Sequence, residues 1–228
     1  MGVVRPSQTI SGFEITPLTN GTFKENCYVV VHLASNDCLL IDPGAEAPFL
    51  QEHLDARGLA PQKIVLTHGH FDHVGAVDAL MERFGIACEV HANEQRLVRQ
   101  AATYAFRFSR EPLRVPRRLT FFSTGSALDW NGRSIDVLEA PGHTAGSVAL
   151  SLGGAFVFTG DALFHEKIGP TTYPESDPAA MQRSVANLLD SLPDDCVIFP
   201  GHGRPWSIGA ARIWWNALRG PAPAQVIF

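Results

Sequence analysis

Apolar positions occur in two rhythms along this chain. Short runs of period two or of continuous apolar character alternate with longer runs of helical spacing. Phe13–Thr19 alternates loosely, Cys27–Leu33 is β-branched, and Cys38–Asp42 is an apolar run stopped by Pro43-Gly44, so each predicts a strand. Pro48–Arg57 reads as a helix ended by Gly58, Lys63–Thr67 as a buried-type strand, and Val74–Phe84 as an amphipathic helix closed by Gly85. Cys88–His91 is another strand, and from Asn93 to about Phe108 the spacing is helical again. Arg110–Arg118 is broken by prolines and basic. The second part repeats the grammar. Ser134–Glu139, Ser147–Leu152, Ala155–Thr159 and Val197–Phe199 predict strands; Asp177–Leu192, opened by Asp177-Pro178, and Ile208–Leu218 predict helices. Two sheets with helices outside would bury these elements well, an α/β arrangement.

Length and composition narrow the picture. The 228 residues suffice for one large domain and are too few for two ordinary ones, so a single domain over 1–228 is expected. Apolar residues at 45% argue against disorder, and a net charge of −5 removes nucleic acid as the default partner. No stretch approaches the roughly 18 apolar residues of a membrane span, and Met1–Gly12 carries no secretory pattern. Cys27, Cys38, Cys88 and Cys196 lie far apart without a C-x-x-C pair, which fits a reducing cytoplasm.

The chemistry concentrates in Thr67-His68-Gly69-His70-Phe71-Asp72-His73-Val74-Gly75. Three histidines and an aspartate fall between an apolar strand and a helix, where one loop can turn all four side chains toward a point. Neutral imidazoles and a carboxylate are what a borderline metal such as zinc accepts. Three more segments share the layout of strand, sharp turn and potential ligand: Pro141-Gly142-His143-Thr144, Thr159-Gly160-Asp161 and Pro200-Gly201-His202-Gly203. Each alone is weak; together they point to a shared metal centre. Asp42, at a strand end, is either an outer partner for a ligand histidine or a turn-opening residue before Pro43-Gly44.

These motifs resemble the metallo-β-lactamase superfamily. The wording of Asn26-Cys27-Tyr28, Asp42-Pro43-Gly44, Pro141–Ser147 and Thr159–Phe164 resembles its glyoxalase II branch, and the likeness runs from about Phe13 to about Arg212. The resemblance implies an αββα sandwich with the site along one edge of the sheets. It implies a first metal on His68, His70 and His143, a second on Asp72, His73 and His202, and Asp161 bridging them. Asp72 and Asp161 are then the catalytic carboxylates. Two divalent ions are expected, zinc first, with iron or manganese as alternatives. The implied reaction is hydrolysis of a thioester or related acyl ester by a metal-bridging hydroxide. No general acid stands out, and a thiolate leaving group needs little protonation. Hydrolysis of a lactone, a β-lactam or a phosphodiester on the same site is the alternative. A mononuclear iron sulfur dioxygenase is another, against which the full ligand set argues.

The chain departs from glyoxalase II in two places. The short stretch after His202 leaves no room for that branch's C-terminal helical domain, and proline occupies the position of a basic residue in Ile168-Gly169-Pro170-Thr171-Thr172-Tyr173. Both weigh against glutathione; Lys167 and Tyr173 are candidate substitutes. The segment at about 93–118 holds Arg96, Arg99, Arg107, Arg110, Arg114, Arg117 and Arg118. It is either a solvated basic face or a cap whose arginines, Arg107 and Arg110 among them, receive an anionic substrate. His32, His53, His91 and His165 read as surface or packing residues, with His165 nearest the bridging-aspartate loop. The expected partner is a small acyl substrate carrying negative charge, with no nucleic acid and no membrane. The assembly is a monomer or a homodimer, the latter if Trp214 and Trp215 are exposed.

Overall fold

The computed structural model describes residues 2–123, 125 and 127–219. One sheet contains β1 (Val3–Val4), β2 (Gln8–Ile10), β3 (Phe13–Asn20), β4 (Glu25–His32), β5 (Asp37–Ile41), β6 (Pro61–Val65), β7 (Ala87–His91) and β8 (Leu119–Phe122). Its order is β1-β3-β4-β5-β6-β7-β8, with β2 also on β3. Pairing is antiparallel from β3 to β5 and parallel from β5 to β8. The connections carry α1 (Ala47–Ala56), α2 (Phe71–Val74), α3 (Val77–Phe84) and α4 (Gln95–Phe108). The second sheet contains β9 (Ala127–Trp130), β10 (Arg133–Glu139), β11 (Val148–Leu152) and β12 (Phe156–Gly160). After the hairpin β13 (Leu163–Phe164) and β14 (Lys167–Ile168) come α5 (Pro178–Ser191), β15 (Val197–Pro200), β16 (Trp206–Ser207) and α6 (Ile208–Arg219). The second sheet's order is β16-β15-β12-β11-β10-β9, with β12 and β15 parallel.

Strand alternation builds three cores and hence four layers, because successive side chains point to opposite faces. In β4, Tyr28 and Val30 enter the space between the sheets, while Val29 and Val31 face α1, α3 and α4. In the second sheet, Phe156, Phe158 and Phe199 face the first sheet, while Val157 and Ile198 pack on α5 and α6. Both sheets are therefore apolar on both faces, which explains why several strands read as continuous runs. The result is an αββα sandwich. Helix α5 begins as its sequence predicts, with the Asp177 carboxylate accepting from Ala179 N–H (2.9 Å) and Ala180 N–H (3.0 Å).

Two expectations change. The single helix over Val74–Phe84 is two helices, α2 and α3, separated at Gly75-Ala76. Ala76 N–H donates to Pro43 O at 3.0 Å, and a Cβ on Gly75 would collide with Gly44 O. The backbone is thus pulled against the Pro43-Gly44 turn, and a Cβ on Gly44 would collide in turn with Asp72 O. The edge strands β1, β2, β8 and β9 were not expected. They are short: β1 and β2 bury no residue fully, and β8 and β9 bury only Phe122, Leu128 and Trp130, so no run is long enough to carry a clear periodicity.

Candidate metal centre

The loops after β6, β10, β12 and β15 meet, stitched by backbone hydrogen bonds. Val148 N–H donates to Thr67 O (2.9 Å), Gly201 N–H to Gly160 O (2.8 Å), and Asn26 N–H to Gly201 O (2.8 Å). The stitching brings together all seven residues expected as ligands. His68, His70 and His143 form one group whose ligand atoms lie within 4.8 Å of one another, and Asp72, His73 and His202 form another. Between them, Asp161 Oδ1 is 3.4 Å from His73 Nε2, and Oδ2 is 3.4 Å from His143 Nε2 and 3.6 Å from His202 Nε2.

Hydrogen bonds outside the centre orient every ring. His143 Nδ1–H donates to Pro170 O (2.8 Å) and His202 Nδ1–H to Phe23 O (3.1 Å). His73 Nδ1–H donates to Asp42 Oδ2 (3.0 Å) and His70 Nε2–H to Glu175 Oε1 (3.0 Å). Thr67 Oγ1–H donates to Asp42 Oδ2 (2.5 Å), so its oxygen accepts from His68 Nδ1–H (3.1 Å). Carbonyls and carboxylates only accept, so these partners fix which nitrogen bears the proton. The other nitrogen of each ring, Nδ1 of His70 and Nε2 of the rest, presents its lone pair inward. Asp42 also accepts from Thr67 N–H at 2.7 Å and serves two ligand histidines, one directly and one through Thr67.

The inward atoms have the character of a metal site. His68 Nε2, His73 Nε2 and Asp161 Oδ1 are buried without a hydrogen-bond partner. Such orphaned groups are costly, and a cation preferring nitrogen and oxygen donors satisfies them together. His70 Nδ1 and His143 Nε2 face each other at 2.8 Å, a distance at which two lone pairs need a positive centre between them. A third grouping, Asp42 with His68 and His73, is not a further site, because Asp42's oxygens already serve Thr67 and His73. The electrostatics differ from ring to ring. Burial, reinforced by the neighbouring histidines, holds His68 well below the usual imidazole range, and burial lowers His143 as well. Burial would depress His73 too, but Asp161, Asp42 and Asp72 outweigh it and raise it well above. Burial raises Asp161, but His202 and His73 outweigh that and hold it well below the usual carboxylate range.

A cavity of about 660 Å³ opens over the centre. Its walls include Phe23, Phe71, Tyr104, Phe108 and Phe164, with Lys167, Tyr173 and Arg107 among the polar lining residues. Tyr173 stands edge-on to His70 and His143, with centroids 5.3 and 5.7 Å away. Arg107 lies over the Phe108 ring at 5.7 Å. Arg110 does not line the cavity. Its guanidinium sits over Phe106, an exposed ring, at 5.5 Å. Arg114 pairs with Asp78 and Glu82 at 2.8 and 2.7 Å, away from the centre. Of the arginine-rich segment, then, Arg107 and the aromatic side of α4 face the cavity. His165 lines it too, packed on Trp206 with centroids 4.9 Å apart. Sequence reasoning missed Glu175, the aromatic wall and Glu94. Glu175 lies in a loop with no periodicity to flag it.

The profile of the Metallo-beta-lactamase superfamily matches residues 20–202, from the last residue of β3 to the last of the seven residues at the centre. The chain belongs to the metallo-β-lactamase superfamily. Among relatives, hydroxyacylglutathione hydrolase GloC of Haemophilus influenzae is 34% identical over 205 residues, spanning 87% of this chain and 94% of GloC. Among solved structures, the BLEG-1 B3 metallo-beta-lactamase is 30% identical with a TM-score of 0.83, covering 91% of this chain and 100% of its own. TTHA1623 in a di-iron-bound form is 36% identical with a TM-score of 0.77, covering 86% and 96%. Two of these names are those of hydrolases and the third is of a protein with two bound irons; they name no common substrate.

Proposed function

We propose that this chain is a dinuclear metallohydrolase that cleaves a thioester or related acyl ester bearing an apolar body and a negative charge. The observation that carries the reading is the pair of ligand groups with Asp161 between them. His68, His70 and His143 would hold one divalent ion, Asp72, His73 and His202 the other, with Asp161 shared; zinc is the first choice, iron or manganese the alternatives. Bound there, the ions supply Lewis acidity toward the acyl oxygen and make a water acidic enough to lose its proton near neutral pH.

The chain's own residues do the rest. Asp42, Glu175, Pro170 and Phe23 hold the rings so that their lone pairs converge without reorganisation. The aromatic wall holds the acyl body and excludes water around the reacting carbonyl. Tyr173 keeps its proton, because burial, with Asp72 and Asp161 behind it, raises its phenol; it serves as a hydrogen-bond donor to bound substrate. Arg107 and Lys167 supply positive charge at the same cavity, and Arg107 reaches it from α4. GloC's name supports the thioester class, and BLEG-1's marks the β-lactam as its competitor. Four buried free cysteines support residence in a reducing cytoplasm, and no helix among the described residues is long and apolar enough to cross a membrane.

The test is a turnover panel of metal-loaded protein on a thioester, a lactone, a β-lactam and a phosphodiester. The highest kcat/KM is expected on the thioester. A higher value on any other class replaces the reading.

A further inference from the structure

Glu94 ends a single 3-10 turn (Ala92–Glu94) just before α4 and is 1% exposed. Its two oxygens reach in different directions. Oε2 accepts from Gly69 N–H at 2.7 Å, and Oε1 accepts from Gly146 N–H at 2.7 Å. Gly69 lies between His68 and His70, and Gly146 lies in the loop of His143. One carboxylate therefore ties together the two loops, from different sheets, that carry the first ligand group. Neither bond touches a segment carrying Asp161 or His202; Asp72 and His73 do lie further along the loop of Gly69, but they sit in α2, where Asp42 Oδ2 holds His73 Nδ1–H separately at 3.0 Å. Both glycines admit the close approach. A Cβ on Gly146 would stand 2.7 Å from Glu94 Oε1 and 2.8 Å from His91 Nδ1, and one on Gly69 would stand 3.1 Å from Glu94 Oε2.

We propose that Glu94 is a positioning residue that sets the separation of these loops and so pre-forms the His68–His70–His143 metal site, leaving the second site to its own supports. The physical need is the facing lone pairs of His70 and His143 at 2.8 Å. With no cation between them they push their loops apart, and a carboxylate accepting from both loops opposes that push. Charge-assisted hydrogen bonds from buried N–H groups are the stronger kind and fix direction as well as distance. The inference rests on metal binding and not on the thioester chemistry.

The experiment is competitive titration of metal-stripped, full-length protein with zinc against a chromophoric chelator. His143→Ala and His202→Ala are reference variants that identify the first-site and second-site events. Glu94→Gln keeps one accepting oxygen but turns an NH2 against the other backbone N–H. Its first-site Kd is expected to rise ~10–100-fold, the usual cost of losing an outer partner, with the second-site Kd within about twofold. Gly146→Ala perturbs the same contact from the opposite side and should give the same pattern; if Glu94→Gln does not fold, Gly146→Ala decides. Thermal melts of the metal-free proteins accompany the titration. A lowered Tm with both Kd values unchanged, or an equal loss at both sites, overturns the proposal. A wild-type stoichiometry of one would overturn the dinuclear reading instead, and Glu94 would then be judged on that single Kd.

Discussion

Replacing Asp42 with asparagine separates charge from shape at the residue that orients two ligand histidines. Asp42 is 2% exposed and sits at φ 48°, a left-handed conformation that asparagine tolerates, so backbone strain should not confuse the result. The amide oxygen keeps the bond from Thr67 N–H. The amide nitrogen replaces Oδ2, which accepts from Thr67 Oγ1–H and His73 Nδ1–H. The Thr67 hydroxyl can rotate to accept instead; the ring N–H of His73 cannot. The net loss is one charged hydrogen bond in a buried site, about 1.5–3 kcal/mol. At roughly 2–4 °C per kcal/mol for a chain of this size, Tm should fall by about 3–12 °C. His73 can escape by moving its proton to Nε2, which removes the lone pair a metal needs. The second metal should therefore weaken by about 10–100-fold, and the first less, through Thr67 and His68. The assay is differential scanning calorimetry of metal-free and metal-loaded protein beside a chelator-competition titration. Wild-type affinity for the second metal in a variant with the expected drop in Tm would refute the claim that Asp42 sets the tautomer of His73.

Asp161→Ala should harm turnover more than His68→Ala or His202→Ala, because it faces both ligand groups; near-normal turnover at full metal content would remove its shared role. Arg107→Ala should raise KM for an anionic thioester roughly three- to tenfold, the effect of about 1 kcal/mol from an exposed charged contact, and leave kcat and a neutral thioester unchanged. Arg110→Ala should do neither, and equal effects of the two variants on steady-state kinetics would dissolve the distinction between them. Asp177 is held below the usual carboxylate value by Ala180 N–H, with Ala179 N–H and Arg183 adding. Its folded value lies below its unfolded value near ~3.9, so its contribution is present above that pH and is lost as pH falls through the folded value. Urea melts from pH 5 down to pH 2 should show a shallower acid decline for Asp177→Ala than for wild type.

The residues that meet at the candidate centre were legible because most are local events. A strand ends, a glycine turns the chain, and the next side chain is the candidate ligand at His143, Asp161 and His202; at His68 the glycine follows instead. The layers were legible for a similar reason, since β4 alternates Tyr28 and Val30 against Val29 and Val31. What escaped depends on contacts between distant loops. Glu175 finds His70 across 105 positions and Glu94 finds Gly146 across 52, and no periodicity marks either acid. The arginine-rich segment misled in another way. Density of charge says nothing of direction, and Arg107 and Arg114 prove to serve different surfaces, one at the cavity and one on α3. The break at Gly75-Ala76 was invisible because its cause, the Pro43-Gly44 turn, lies a strand and a helix earlier.

The seven candidate ligands are divided between the sheets: His68, His70, Asp72 and His73 follow β6, while His143, Asp161 and His202 follow strands of the second sheet. A cation held in either group is therefore a cross-link between the two halves of the sandwich, closer in effect to a rivet than to a guest. The halves cannot part without breaking at least one side's bonds to it. Each tenfold excess of free metal over Kd would add about 1.4 kcal/mol to the folded state. Survival at high temperature would then be a matter of metal release, so the molecule's lifetime would follow the metal supply of its surroundings as closely as its own sequence.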